Sequence, residues 1–365
     1  MGAIQDIFIT HGPAYLEKFG AKMPNVHRQA MDAIISCRSP IHGFTVYECE
    51  KCGKTHYIYR GCGNRHCPSC QSAKALQWMD VQLEKLLPAD YFLITFTVPE
   101  EMRAFMRAHQ RETYNALFSA SSQAIRTLTP DLKFIGGDLP GFFGVLHTWG
   151  RQMQYHPHIH YIAPGGAFNT QDGKWHCARP DFYLPVCALS KIYRAKFRDS
   201  MQAAGLLDQI DPLIWETGWN VNIQAVGSGQ QTVRYLSHYV FKVAISDYRI
   251  DTFQDGTVTF RYRKSGSNRD RRITVSAFEF IRRYLQHVLP SGFMKIRHYG
   301  FMNTNSSVSL DLIRALIELQ SGFEVKTQQR AEAVERILYC PDCGGKLIYQ
   351  YSILPHMMLY GPGAG

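Results

Sequence analysis

The sequence predicts an α+β chain in which a small cysteine-rich module precedes a larger domain of sheet and helices. Six cysteines crowd between Cys37 and Cys70, too densely for an ordinary core. Apolar, β-branched and aromatic runs such as YFLITFTVP (91–99) lie between longer stretches of helical spacing. Their alternation is irregular, which favours α+β over a doubly wound parallel sheet.

Along the chain, HRQAMDAIISC carries Ala30, Met31, Ile34 and Ile35 at helical spacing, and SAKALQWMDVQLEKLL is a second helix ended by Pro88. YFLITFTVP is a buried strand, and EEMRAFMRAHQRETYNALFSASSQAIRTL suits one helix or two. A glycine-rich break at 136–144 leads into a strand pair around HTWGRQMQYHPHIHYIAPGG. SKIYRAKFRDSMQAAGLL is helical and WNVNIQAV is a strand. QQTVRYLSHYVFKVAIS is helical by the spacing of Val233, Leu236, Val240 and Val243. TVTFRYR and RRITVSAFEFIRRYLQHVL predict a strand or hairpin and then a helix. These breaks divide the chain into a helical cysteine-rich module (1–88), a central domain (89–300) and a C-terminal helical segment with a CxxC turn (301–365).

Lys and Arg number 40 against 30 Asp and Glu, a formal charge of +10 that points to a polyanionic partner, nucleic acid first. No apolar run reaches the ~18 residues of a membrane-spanning helix. MGAIQDIFITHGPAYLEKFG lacks the basic stretch and apolar core of a signal peptide. The chain is therefore expected in the cytosol, where disulfides are rare, and its ten cysteines call for another role.

Zinc takes four thiolate or imidazole ligands in a tetrahedron, and a CxxC turn supplies two of them. Cys49-x2-Cys52 and Cys67-x2-Cys70 are such turns, expected together to hold one structural zinc. Cys37 and Cys62 remain, with His27, His42, His56 and His66 nearby. A second zinc on Cys37, Cys62, His27 and His66 is the further expectation. Both ions are read as closed and structural, presenting the basic loop YRGCGNRHC to DNA. CPDCGGKL holds Cys340 and Cys343 without a clear second pair. Cys177, Cys187 and His356 lack specific spacing, so no ion is expected there.

On a strand, His156, His158 and His160 share one face, where imidazoles can converge on a divalent ion. Pro157 marks a strand start or edge, so the alternation is expected first for His158 and His160. The plainer alternative is a structural histidine strand with its ring nitrogens satisfied by backbone. In RYLSHYVFK, Tyr235 and Tyr239 stand one above the other on a helix face, with Lys242 three residues on. Tyrosine can attack phosphorus to form a phosphotyrosine ester. Among 20 tyrosines, aromatics at this spacing also serve as core.

In this order, the cysteine module with NRHCPSCQ, FLITFTVP, HTWGRQMQYHPHIHYIAPGG, YLSHYVFKVAIS and FIRRYLQHVLPSGFMKIRHYGF resembles the HUH endonuclease superfamily. It is most similar there to insertion-sequence-91-like rolling-circle transposases and their common-region relatives, over nearly the whole chain. The resemblance implies an HUH-type antiparallel sheet flanked by helices, with the histidines on a central strand. It implies Mg2+ or Mn2+ on His158 and His160, and attack by Tyr235 or Tyr239 on single-stranded DNA at transposon ends carrying hairpins. Tyr239 with Lys242 fits the tyrosine-lysine form of related replication initiators. For the third ligand His156 is the nearest candidate, with Gln154 and His238 behind it. Arg60, Arg65, Arg261, Arg263 and Lys264 are the candidates to hold the DNA backbone in the bacterial cytosol, at the nucleoid. Two rivals stand: a non-catalytic zinc-containing DNA-binding protein derived from a transposase, and a metal-dependent hydrolase that activates water. A transposase using an acidic trio is disfavoured, because carboxylates are sparse around the histidines.

Overall fold

The computed structural model describes residues 2–234, 244–264, 266, 267, 269–321 and 337–355. Tyr235, Tyr239 and Lys242 lie outside the described residues, as do most of the predicted helix around them and His356.

Where side chains alternate or branch at Cβ, the chain is extended. In chain order the strands are β1 (Phe44–Cys49), β2 (Thr55–Tyr59), β3 (Tyr91–Thr97), β4 (Phe142–Trp149), β5 (Tyr155–Pro164), β6 (Gly166–Asn169) and β7 (Lys174–Cys177). Then come β8 (Val221–Ala225), β9 (Ile250–Gln254), β10 (Thr257–Arg263), β11 (Asp270–Ser276), β12 (Ile296–Tyr299) and β13 (Leu347–Ile353). Helices and antiparallel sheets are mixed as the α+β reading expects. Among the described residues no helix is long and apolar enough to cross a membrane.

Two compact units form. One comprises Met1–Lys74, Ile245–Val288 and Gln328–Gly365; the other comprises Ala75–Ala244 and Leu289–Thr327. Compactness thus divides the chain differently from the three consecutive segments read from sequence, grouping 245–288 with the N-terminal cysteines.

The reason is a shared apolar contact. The helix Ala277–Leu285 buries Phe280, Ile281 and Tyr284, and the Tyr284 ring lies 5.2 Å from that of Phe8 on the helix Ala3–Phe19. Ser276 caps this helix by accepting a hydrogen bond from the Glu279 amide, the capping pattern S-x-x-E. The same unit holds a sheet of β9, β10 and β11, and a second sheet in the order β13-β1-β2. The C-terminal segment is therefore not purely helical: after the helix Leu310–Ser321 it returns as β13, pairing antiparallel with β1.

In the other unit, five strands form an antiparallel sheet in the order β12-β4-β5-β3-β8. EEMRAFMRAHQRETYNALFSASSQAIRTL becomes two helices, Met102–Ala108 and Gln110–Leu128. Period-two geometry sends Tyr155, Ile159, Tyr161 and Ala163 of β5 to one face, into a core with Phe96, Phe142, Leu117 and Phe197. Each fully buried aromatic there is worth roughly 1.5–3 kcal/mol of burial. Two hydroxyl pairs fix the register against the helix Gln110–Leu128: Tyr161 with Ser121 at 2.7 Å and Tyr155 with Tyr114 at 2.6 Å. Across β4, Gly144 faces Tyr161, and a Cβ at residue 144 would stand 2.4 Å from the tyrosine ring. Gly144→Ala should accordingly lower the thermal midpoint of this unit by roughly 2–10 °C, from an overpacking cost of about 1–3 kcal/mol. Thermal unfolding followed by circular dichroism checks it, and an unchanged midpoint would show that the ring moves aside without cost.

Candidate functional site: a histidine cluster and two cysteine clusters

The faces of β5 carry different chemistry. While Ile159 and Tyr161 enter the core, His156, His158 and His160 alternate with them on the other face, each partly buried. Pro157 does not break the alternation, because it lies within an irregularity of the ladder. Trp149 pairs with Tyr155, but His147 pairs with His158, so β5 holds one extra residue between these two pairs. That shift places His147, and not its neighbours, directly across from His158.

His147, His158 and His160 form the cluster, each offering a ring nitrogen within 4.8 Å of the others. Ring centroids stand 4.8 Å apart for His147–His160 and His158–His160, and 5.3 Å for His147–His158. The expected third member, His156, sits beside His158 with ring centroids 5.0 Å apart but is not part of this group. Its Nδ1 is buried and makes no hydrogen bond among the described residues. His147 was passed over in the sequence because only the register shift brings its strand position opposite His158.

Hydrogen bonds orient the rings. His158 Nδ1 donates to the His156 carbonyl at 2.7 Å, leaving Nε2 as the ring's acceptor. His160 Nδ1 lies 2.8 Å from Thr95 Oγ1 on β3, the residue paired with it across the sheet. Burial pushes the His147 and His160 imidazoles well below their ordinary range, and the nearby imidazoles add to it. Burial, then the neighbouring His156, takes His158 down to about 4; burial, then Arg103, takes His156 there too. Neutral imidazole is the form that ligates a metal, so the trio fits a divalent ion. Next to it, Val145, Ile162 and Val233 share an apolar cluster with Trp78, Met79 and Leu83. Val233 belongs to the described helical turn that directly precedes Tyr235.

The cysteines group otherwise than their linear order suggests. Cys37 and Cys62 converge with Cys67 and Cys70, while Cys49 and Cys52 converge with Cys340 and Cys343. The expected single site of Cys49, Cys52, Cys67 and Cys70 is corrected, because the two CxxC turns sit in separate clusters. His27 and His66 are not members of either group. His66 is buried, its amide bonded to Asn64 Oδ1 and its carbonyl accepting from the Tyr284 hydroxyl. In the first cluster, Sγ–Sγ separations of 3.5 Å (Cys37–Cys70) and 3.7 Å (Cys62–Cys70) match a tetrathiolate zinc site, whose edges are about 3.8 Å.

Of the basic candidates, Arg60, Arg65, Arg263 and Lys264 are exposed. Arg261 pairs with Asp251 at 2.7 Å and Arg263 with Asp270, so part of their charge is met within the protein.

A family model described as "Transposase zinc-binding domain" matches residues 7–98, and one described as "Putative transposase" matches residues 141–309. The chain belongs to the insertion-sequence-91 family of transposases, and zinc is the metal of its cysteine module. The "Putative transposase y4qJ" of Sinorhizobium fredii (strain NBRC 101917 / NGR234) is 33% identical over 369 residues, covering 93% of this chain and 92% of that protein. The "Transposase for insertion sequence element IS801" of Pseudomonas savastanoi pv. phaseolicola is 27% identical over 308 residues, covering 79% of this chain and 72% of that one. No solved structure matches.

The lowered histidines have a consequence for stability. Below pH 6.5 the unfolded chain protonates these imidazoles, while folded His156 and His158 resist down to about 4. The unfolded state then binds more protons, so stability falls as pH drops through that window. Between about pH 7 and about pH 5, the thermal midpoint of the wild type should fall more than that of a His156→Gln, His158→Gln variant. Parallel melting curves across this range would refute the assignment.

Proposed function

We propose that the protein is a transposase that nicks and rejoins single-stranded DNA at transposon ends through a 5′-phosphotyrosine intermediate. The observation that carries this reading is the convergence of His147, His158 and His160 on the sheet face where Val233 packs, two residues before Tyr235. A divalent ion on the trio would draw charge from a non-bridging oxygen of the scissile phosphate. An all-imidazole donor set suits a softer ion than Mg2+, making Mn2+ the better of the two expected metals.

Tyr235 or Tyr239 supplies the phenolic oxygen, which forms a bond to phosphorus as the bond to the DNA 3′ oxygen breaks. Lys242 is assigned to hold the phenol in its deprotonated form. The 3′ oxygen leaves as an alkoxide and takes a proton from solvent to become the 3′ hydroxyl, and the phosphotyrosine ester conserves the bond for rejoining. The positioning roles fall to the His156 carbonyl and Thr95, which orient His158 and His160. Arg60, Arg65, Arg261, Arg263 and Lys264 are assigned to the phosphate backbone, working in the bacterial cytosol at the nucleoid.

The test is incubation with labelled single-stranded DNA carrying element ends and hairpins, plus Mn2+ or Mg2+, followed by a denaturing protein gel. A labelled protein band is expected, lost in the Tyr235→Phe, Tyr239→Phe double variant while DNA binding persists. Cleaved DNA with no labelled band would make the protein a hydrolase. Bound but uncut DNA would leave a non-catalytic zinc-containing DNA-binding protein. His147→Ala, or His158→Ala with His160→Ala, should lower cleavage at least ~100-fold; His156→Ala should cost far less. Equal losses at His147 and His156 would overturn the choice of third ligand.

A further inference from the structure

We propose that Cys49, Cys52, Cys340 and Cys343 form a second tetrathiolate zinc site, which fastens the C-terminal strand β13 onto the N-terminal strand β1. The zinc-binding family model ends at residue 98, so half of these ligands lie far beyond it.

The sulfurs already have the right spacing. All four lie within 4.8 Å of one another, with Cys49–Cys343 at 3.4 Å and Cys52–Cys340 at 3.9 Å. Zinc–sulfur bonds of about 2.3 Å in a tetrahedron set sulfurs ~3.8 Å apart. A disulfide needs about 2.05 Å, and these pairs stand well outside that.

The backbone gives an independent indication, because the two turns are built alike. CEKCG and CPDCG each close with the glycine amide donating to the first cysteine's carbonyl at 2.9 Å, Gly53 to Cys49 and Gly344 to Cys340. Both glycines are left-handed, at φ 69° and 72°. A second bond follows in each, from the Cys49 amide to Lys54 at 2.9 Å and from the Cys340 amide to Gly345 at 2.8 Å.

His56 Nε2 lies 3.3 Å from Cys340 Sγ, placed to donate to a thiolate ligand. His56, Cys340 and Asp342 also approach one another, but Asp342 is engaged by Lys54 at 2.9 Å. Four thiolates are the softer and better-matched set for zinc. The local core is also small: among the described residues its buried members are Cys49, Cys340 and Leu347. So small an apolar cluster adds little to the β1–β13 ladder that joins segments from opposite ends of the sequence, and a bound metal would add stability there.

The experiment uses the full-length protein purified without chelator, with metal content and cysteine alkylation read together by mass spectrometry. Two zinc ions per chain are expected, with the exposed Cys177 and Cys187 alkylated and the other cysteines shielded until the metal is stripped. One zinc, with Cys340 and Cys343 alkylated as fast as Cys177, would overturn the proposal, as would a Cys49–Cys343 disulfide. Cys340→Ser with Cys343→Ser should drop the content from two ions to one and expose Cys49 and Cys52. Unchanged zinc in that variant would also overturn it. Cys343→His retains a ligand and should keep both ions, even if the serine variant fails to fold. Loss of neither ion in His56→Ala would agree with a donor role, whereas loss of one would make His56 a ligand in place of a cysteine and overturn the four-sulfur set. These readouts do not involve DNA cleavage, so they stand or fall apart from the proposed activity.

Discussion

The two-residue period of β5 ties the core of its unit to the candidate site. Tyr155, Ile159, Tyr161 and Ala163 are drawn inward by burial, so the imidazoles between them must face the other way. A slip of one residue would drive three imidazoles into an apolar core and expose two tyrosines. The hydroxyl pairs Tyr161–Ser121 and Tyr155–Tyr114 resist that slip, because breaking either leaves buried polar groups unsatisfied. Packing on one face thereby aims chemistry on the other.

The cysteine module meets a different physical demand. Its β13-β1-β2 sheet exposes Tyr57, Tyr59, Tyr349 and Tyr351, and the apolar cluster beneath its CxxC turns is very small. Thiolate clusters act as substitutes for a core there, each joining segments that local propensity would leave apart. Cys37 on one side of β1 is brought to Cys70 on the other, and Cys49 to Cys343. The helix Ala277–Leu285 braces the first cluster through the Tyr284 hydroxyl on the His66 carbonyl, a contact between residues distant in sequence.

Much of this was legible where neighbouring residues decide the outcome. YFLITFT became β3, TVTFRYR became β10, and the helix predicted after RRITVS forms with its Ser276 cap. The alternation of His158 and His160 around Ile159 was plain in the letters, as were the paired cysteine turns. Less was legible of what these pieces join. His147 opens the histidine stretch, yet its partnership with His158 depends on one extra residue in β5. Cys340 and Cys343 looked like half a knuckle, because their partners stand near the other end of the chain.

Residue order thus specified the kinds of group and their local geometry: CxxC turns that present two sulfurs, a strand that presents imidazoles, and a basic chain of the insertion-sequence-91 family. Those properties arise over a few bonds, where connectivity forces proximity. Which turn shares a cluster with which, and which histidine completes the trio, was decided only by the assembled fold. Cysteines are chemically equivalent as ligands, so spacing cannot rank one pairing over another. The register of β4 on β5 and the return of β13 to β1 make that choice, because burial and hydrogen bonding are satisfied in one arrangement of the whole chain.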